Sequence, residues 1–380
     1  ILQMKFYSYD RHTSIVNFSN SILKKYNITP FHETIEEIDA LTKNKKKLCL
    51  VLLDGDGEAI QDATLSKKSN LISHRFMNMS STFPPTTVAA TNSLLSGKYP
   101  NETGWIGWTT YVEGLNEVVE MFTSKDYVTK KLVSINNVCK GLYPYKTIFE
   151  LIKEKNPKLS VESVFMLDHG SDNPHTVGDF FAKTDEKLSN MLEGFLYAYC
   201  LEPDASLHEY GEDSEQVKTL CNRLDDEVGK LAEKHTDTLF LVIADHAHIK
   251  VTPIYCSDYP DFYETLETCF LIEARAASFR IKKGMEKQFL SCYKKYFKKS
   301  FALISKKQIL KSHLFGYGKN FKDFENILGQ YMLIATTDKY FIFNRENEKH
   351  EPFVSTHAGG TKRENIISIS IFNKRTAEKY

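Results

Sequence analysis

Thr238-Leu-Phe-Leu-Val-Ile-Ala244 runs without a break into Asp245-His246, and this junction decides the fold. A short, uninterrupted apolar run reads as a strand buried on both faces, which is the habit of parallel sheets. Two other runs have the same form. Leu48 to Leu53 (LCLVLL) meets Asp54-Gly55, and Phe195 to Leu201 (FLYAYCL) meets Glu202-Pro203-Asp204. Helical patterns lie between them: from Glu212 to His235, Val217, Leu220, Leu224, Val228 and Leu231 follow a helical period. This alternation predicts an α/β fold with a central, mostly parallel sheet and helices on both faces. Ligands in such folds bind beyond the carboxyl ends of the strands. Here those ends carry carboxylates and imidazoles.

From about Tyr255 to Arg345 the chain becomes rich in Lys, Phe and Tyr, and the strand-end carboxylates stop. They resume at Thr356-His357-Ala358-Gly359-Gly360. The expected organisation is a catalytic core of residues 1–255 and 346–380, interrupted by a cap subdomain at 256–345. A chain of 380 residues exceeds what one compact core usually supports, which fits a core with an insertion.

Composition narrows the partners. Lys plus Arg equals Asp plus Glu at 49 each, so there is no charge imbalance to favour nucleic acid. The clusters Lys45-Lys46-Lys47 and Lys298-Lys299 read as solvated faces rather than a basic groove. Seven cysteines at irregular spacing, with no CxxC pair, read as reduced thiols; Cys49, Cys200 and Cys269 fall in apolar runs as small core residues. No apolar run reaches the length of a membrane span, and no signal peptide is visible, so the expected location is cytoplasmic.

The segment Ser81-Thr-Phe-Pro-Pro-Thr86-Thr87-Val-Ala-Ala-Thr-Asn-Ser-Leu-Leu-Ser-Gly97 begins extended, because each proline fixes its own φ and biases its predecessor away from helix. A helix-favouring run follows, closed by a glycine suited to a C-cap. A threonine here is ordinarily an N-cap. It is also placed to be a nucleophile, because the helix start offers N–H groups and a positive dipole end to a phosphoryl group. A neutral hydroxyl needs a metal for that task. The candidate ligands are Asp54, Asp204 and His208 (one helical turn apart), Asp245, His246 and His357, with Thr87 itself. Imidazoles and carboxylates are the donors of catalytic zinc sites. Taken singly, each has a plainer reading as a turn, a cap or a surface histidine.

Five blocks in order resemble the type I phosphodiesterase/nucleotide pyrophosphatase branch of the alkaline phosphatase superfamily. They are Leu53-Asp54-Gly55, Phe83-Pro-Pro-Thr-Thr87 through Ser96-Gly97-Lys-Tyr-Pro100 to Gly104, Glu202-Pro-Asp204 to His208 and Gly211, Ala244-Asp245-His246, and His357-Ala-Gly-Gly360. The resemblance implies an alkaline-phosphatase-like fold and two divalent ions, taken to be zinc. It implies that Asp204, His208 and His357 hold one ion, while Asp54, Thr87, Asp245 and His246 hold the other. It also implies that Thr87 forms a covalent phosphothreonine. Ala247, Ala358 and Thr103 stand where the family usually has Gly, Gly and His, and none of them is an expected ligand. The asparagine that members often set against the phosphate has no assigned position.

The expected substrate is a small phosphate ester, possibly a nucleotide. The lack of an arginine near Thr87 favours diesters over dianionic monoesters. Phosphomonoesterase or phosphonate hydrolase action on the same metal core is the nearest alternative, and a non-catalytic scaffold the next. Asp168-His169-Gly170 imitates the Asp-His block but precedes the Asp204 block, against the family order, and is set aside as a loop. Thr86 yields to Thr87 on the spacing to Gly97. Trp105, Trp108 and Tyr111 are expected to pack against the sheet, with stacking on a base as the alternative.

Overall fold

Strand Lys47–Leu53 is buried along its whole length, and alternate residues leave it in opposite directions. Leu48, Leu50 and Leu52 enter a core shared with Phe18 and Ile22 of helix Ile15–Lys25 and Ala90 and Leu94 of helix Thr87–Ser96. Cys49, Val51 and Leu53 enter the opposite core with Phe180 of helix Val177–Ser189 and Val217, Leu224 and Val228 of helix Glu215–Lys234. Each buried leucine contributes about 2 kcal/mol. The computed structural model describes residues 6–167, 173–344 and 351–373. The Asp168-His169-Gly170 segment lies outside the described residues.

The central sheet has six strands in the order Arg75–Ser80, Ile366–Phe372, Leu239–Ile243, Lys47–Leu53, Gly194–Cys200, Ser160–Phe165. All run the same way except Ile366–Phe372, which is antiparallel to both neighbours. The three apolar runs of the sequence are adjacent here. Leu52 faces Ile243 and Leu53 faces Cys200, so the three carboxyl ends lie level. Lys47 departs from the solvated-face reading. Being the first residue of a central strand, it is only 3% exposed, and its ammonium donates to Leu188 O and pairs with Asp237.

A second six-stranded sheet, antiparallel throughout, runs Phe301–Ser305, Tyr331–Ala335, Ala276–Phe279, Leu271–Ile272, Thr109–Val112, Glu117–Glu120. Four strands come from the expected insertion, and two come from residues just after the Thr87 helix. This second sheet is thus assembled from two stretches of chain. Trp105 is buried there, its indole N–H donating to Tyr143 O, in agreement with a packing role. All seven cysteines are buried free thiols. Among the described residues, no helix is long and apolar enough to cross a membrane.

Candidate active site

Level strand ends bring the first group of side chains together. Asp54 and Asp245 follow neighbouring parallel strands, and both are almost fully buried. Gly55 makes the turn between them with φ +76°, and its N–H donates to Asp245 Oδ1 at 3.1 Å. A side chain there would press on Asp204 and on His248, each 3.1 Å from the position of a Cβ. Helix Thr87–Ser96 starts opposite, with Thr86 as N-cap and Gly97 closing the far end at φ +71°, the C-cap expected of it. Thr87 Oγ1 lies 3.1 Å from His246 Nε2 and 3.3 Å from Asp54 Oδ1. His246 Nε2 lies 3.3 Å from Asp54 Oδ1 and 3.6 Å from Asp245 Oδ2. Thr86 turns the other way, donating to buried Glu273 at 2.6 Å.

The second group comes from helix Asp204–Tyr210 and the strand Ser355–Thr356 that ends at His357. Asp204 and His208 share one face of the helix, with His208 Nε2 at 3.5 Å from Asp204 Oδ1. His357 Nε2 stands 3.6 Å from the same oxygen. The His357 turn is held by a buried ion pair: Glu364 accepts from Arg275 and from the Gly359 N–H. Ala358 sits at φ +79°, a conformation costly for a residue with a Cβ. Asp204 Oδ1 is also 4.0 Å from His246 Nε2, so it borders both groups, and the rings of His246 and His357 stack at 3.8 Å.

All seven side chains singled out in the sequence therefore converge. One neighbour was missed. His248 is fully buried with Nε2 at 2.6 Å from Asp204 Oδ1. The signal was present in Asp245-His246-Ala247-His248, because residues two apart in an extended segment project to the same side.

The electrostatics fit divalent cations. Burial pushes Asp54 and Asp245 well above the usual carboxylate range; the charge of Asp204 adds to the effect on Asp54, and that of Asp54 to the effect on Asp245. Burial and then His246 push His357 well below the ordinary histidine value, keeping it a neutral donor. Asp245 Oδ2 is buried without a hydrogen-bond partner. Carboxylates crowded in this way, with an orphaned oxygen and imidazoles nearby, are stabilised by cations. Asp204, His208, His248 and His357 form one group able to hold an ion, and Asp54, Asp204 and His246 another.

A cavity of about 500 Å³ opens over the second group and Thr87. Thr87, Asp204, His208 and His357 form its floor; Trp108, Tyr127, Phe270 and Phe353 line its walls. Trp108 lines the cavity and also packs against the hydrophobic cluster around the second sheet. Among the described lining residues Lys130 is the one lysine or arginine, and Glu120 pairs with it at 2.7 Å.

A mostly parallel sheet, with the Thr87 helix and paired Asp/His clusters at its carboxyl end, is the arrangement of a metal-dependent phosphoester hydrolase. The sequence matches the type I phosphodiesterase/nucleotide pyrophosphatase family over residues 48–359, and the chain belongs to that family. No curated protein sequence matches it. Among solved structures, murine ectonucleotide pyrophosphatase/phosphodiesterase 5, in an inactive form in complex with AMP, superposes with a TM-score of 0.61 at 13% identity, covering 86% of this chain and 88% of that one. The Sinorhizobium meliloti 1021 phosphonoacetate hydrolase in complex with phosphonoacetate gives 0.65 at 14% identity, covering 87% and 90%. At these identities the likeness is one of fold.

Proposed function

We propose that this chain hydrolyses small phosphate diesters or nucleotide pyrophosphates, with Thr87 as nucleophile and two zinc ions. Asp204, His208 and His357 would hold one ion, and Asp54, Asp245, His246 and the Thr87 oxygen the other. When bound, the ions would acidify the Thr87 hydroxyl and neutralise charge on the phosphoryl oxygens. The observation that carries this reading is the position of Thr87 Oγ1, at a helix N-terminus and within 3.3 Å of both His246 Nε2 and Asp54 Oδ1.

The chain's own groups divide the work. Thr87 directs its proton at Asp54 Oδ1, the acceptor through which it leaves. The opening N–H groups of its helix have no carbonyl one turn earlier and point at the phosphoryl group. The Thr87 oxygen bonds to phosphorus as the bond to the leaving oxygen breaks, and the leaving alcohol takes a proton from water. Water then attacks the phosphothreonine, the bond from Oγ to phosphorus breaks, and the hydroxyl is restored.

The second sheet, drawing on residues 109–120 as well as 256–345, would act as the cap that shapes the leaving-group pocket. Its aromatic walls and, among the described residues, a lysine already paired with Glu120 suit an uncharged or planar leaving group better than a dianionic monoester. The phosphonate alternative shares the metal floor and would need a further anion-binding side chain, and among the described lining residues Lys130 is already paired with Glu120.

The test is acid-quench trapping of turnover with a labelled diester, followed by peptide mapping. Phosphate is expected on Thr87. Thr87→Ala is expected to lose roughly 10⁴-fold or more in kcat, as nucleophile deletions do, whereas Thr87→Ser keeps measurable activity. Thr86→Ala should cost about 1–2 kcal/mol of stability through its lost buried hydrogen bond, with a far smaller effect on rate. A fully active Thr87→Ala would end the covalent reading. Faster turnover of a mono-aryl phosphate or of phosphonoacetate than of a bis-aryl phosphate would move the substrate class.

A further inference from the structure

Hydrogen bonding assigns the ring protons around Asp204. His208 Nδ1 is 2.9 Å from Ser355 O, and His357 Nδ1 is 3.3 Å from Pro85 O. A carbonyl oxygen only accepts, so each Nδ1 carries the hydrogen and each Nε2 presents a lone pair. His248 follows the same logic through one more bond. Its Nδ1 lies 3.0 Å from Ser355 Oγ, and that hydroxyl donates its single proton to Leu207 O at 2.7 Å. Ser355 Oγ is therefore the acceptor toward His248, and His248 Nε2 too is left with a lone pair. It faces Asp204 Oδ1 across 2.6 Å. Two lone pairs at that separation repel unless a proton or a metal ion lies against both.

We propose that His248 is a third imidazole ligand at the Asp204–His208–His357 site, enlarging the Asp-His-His set that the family resemblance implies. The proposal rests on the two-ion reading above. It gives this ion one carboxylate and three imidazoles, a donor set that favours zinc over magnesium. It also ties the two groups together, because His248 lies two residues beyond His246 on the same segment. The competing role is that of a positioning residue, in which His248 donates an N–H to Asp204 and never touches the ion.

X-ray absorption at the zinc edge, on the full chain loaded with two zinc ions, separates these roles without any variant. Four imidazoles shared between two ions are expected; three would overturn the proposal. His248→Gln is the second arm, because its amide still offers Asp204 a donor but is a poor zinc ligand. Competition with a chromophoric chelator is expected to show one zinc weakened by at least about 100-fold, the upper end of what loss of an outer partner costs, and the other retained. Wild-type zinc affinity in His248→Gln would assign the positioning role and overturn the proposal. Two zinc ions with three imidazoles would overturn this proposal alone, whereas a wild-type chain that takes up no zinc would overturn the two-ion reading with it.

Discussion

The two halves of the site are built differently. Asp54, Asp245 and His246 stand at the ends of two adjacent parallel strands and are at most 2% exposed. Their spacing is set by sheet register and by the helix that carries Thr87. Asp204, His208 and His357 have side chains that are 17%, 20% and 10% exposed. They hang on a seven-residue helix and a two-residue strand, at the floor of the cavity. The difference teaches that the first half is rigid by construction, with its charges buried at a cost. The second half is open and depends on packing between segments far apart in sequence.

The largest expected effect would break the comparison outright. Asp245→Ala and His208→Ala should each lose metal and roughly 10³-fold or more in kcat/KM, because several kcal/mol of charge stabilisation disappear in either case. The halves should differ in stability without metal. Asp245→Asn is expected to stabilise the metal-free chain, since it removes a disfavoured buried carboxylate, whereas His208→Ala should leave its melting temperature within a few degrees. Thermal melts of chelated protein check this, and equal shifts would erase the distinction between the halves.

A smaller effect sharpens the account of the buried side. Burial raises Glu273 to about 7 although it accepts from Thr86 and from the Trp108 N–H. Below the ordinary glutamate range both folded and unfolded chains are protonated, and no penalty exists. As pH rises toward 7 the unfolded chain ionises first and stability falls; above 7 the penalty is constant. Glu273→Gln in the metal-free protein should therefore gain nothing at acid pH and up to about 3 kcal/mol above neutrality. Denaturant unfolding across that range measures it, and a gain independent of pH would refute the assignment.

On the open side, Trp108→Ala and Phe353→Ala should retain metal and shift the preference between aryl and alkyl leaving groups by roughly tenfold, the scale of one lost apolar contact. Relative kcat/KM values on paired substrates report this, and loss of metal in either variant would place these residues in the core instead. The smallest effect concerns the His357 turn. Ala358 holds a left-handed conformation, so Ala358→Gly should stabilise by up to about 1 kcal/mol, the relief of strain exceeding the added freedom of the unfolded chain. A destabilised variant would show that the methyl group, which is fully buried, matters more for packing.

Much of the site could be read before the fold was seen, and the physical reason is specific. A strand buried on both faces has to be a continuous apolar run, so Leu48–Leu53, Phe195–Leu201 and Thr238–Ala244 announced themselves, and whatever followed them had to stand at a carboxyl end. The Thr87 helix was equally legible, because its prolines and Gly97 act through local backbone geometry. Preferring Thr87 to Thr86 as the candidate nucleophile rests on the spacing to Gly97; in the fold the two hydroxyls point apart, Thr87 toward His246 and Asp54 and Thr86 toward Glu273.

Tertiary structure decided the rest. Lys47 looks like part of a solvated cluster until the strand it opens becomes central and its ammonium finds Leu188 O and Asp237. The second sheet joins residues 109–120 to 271–335, a pairing across a separation that no local pattern encodes. The spacing of His248 from His246 stands in the sequence, but its role does not. A histidine's role depends on what its two nitrogens meet, and Ser355 and Asp204 reach His248 from distant parts of the chain. Sequence alone determined which side chains stand at the strand ends, because burial and periodicity are local demands. Only the packed fold decided which lone pairs face one another, because that depends on contacts between segments the sequence keeps far apart.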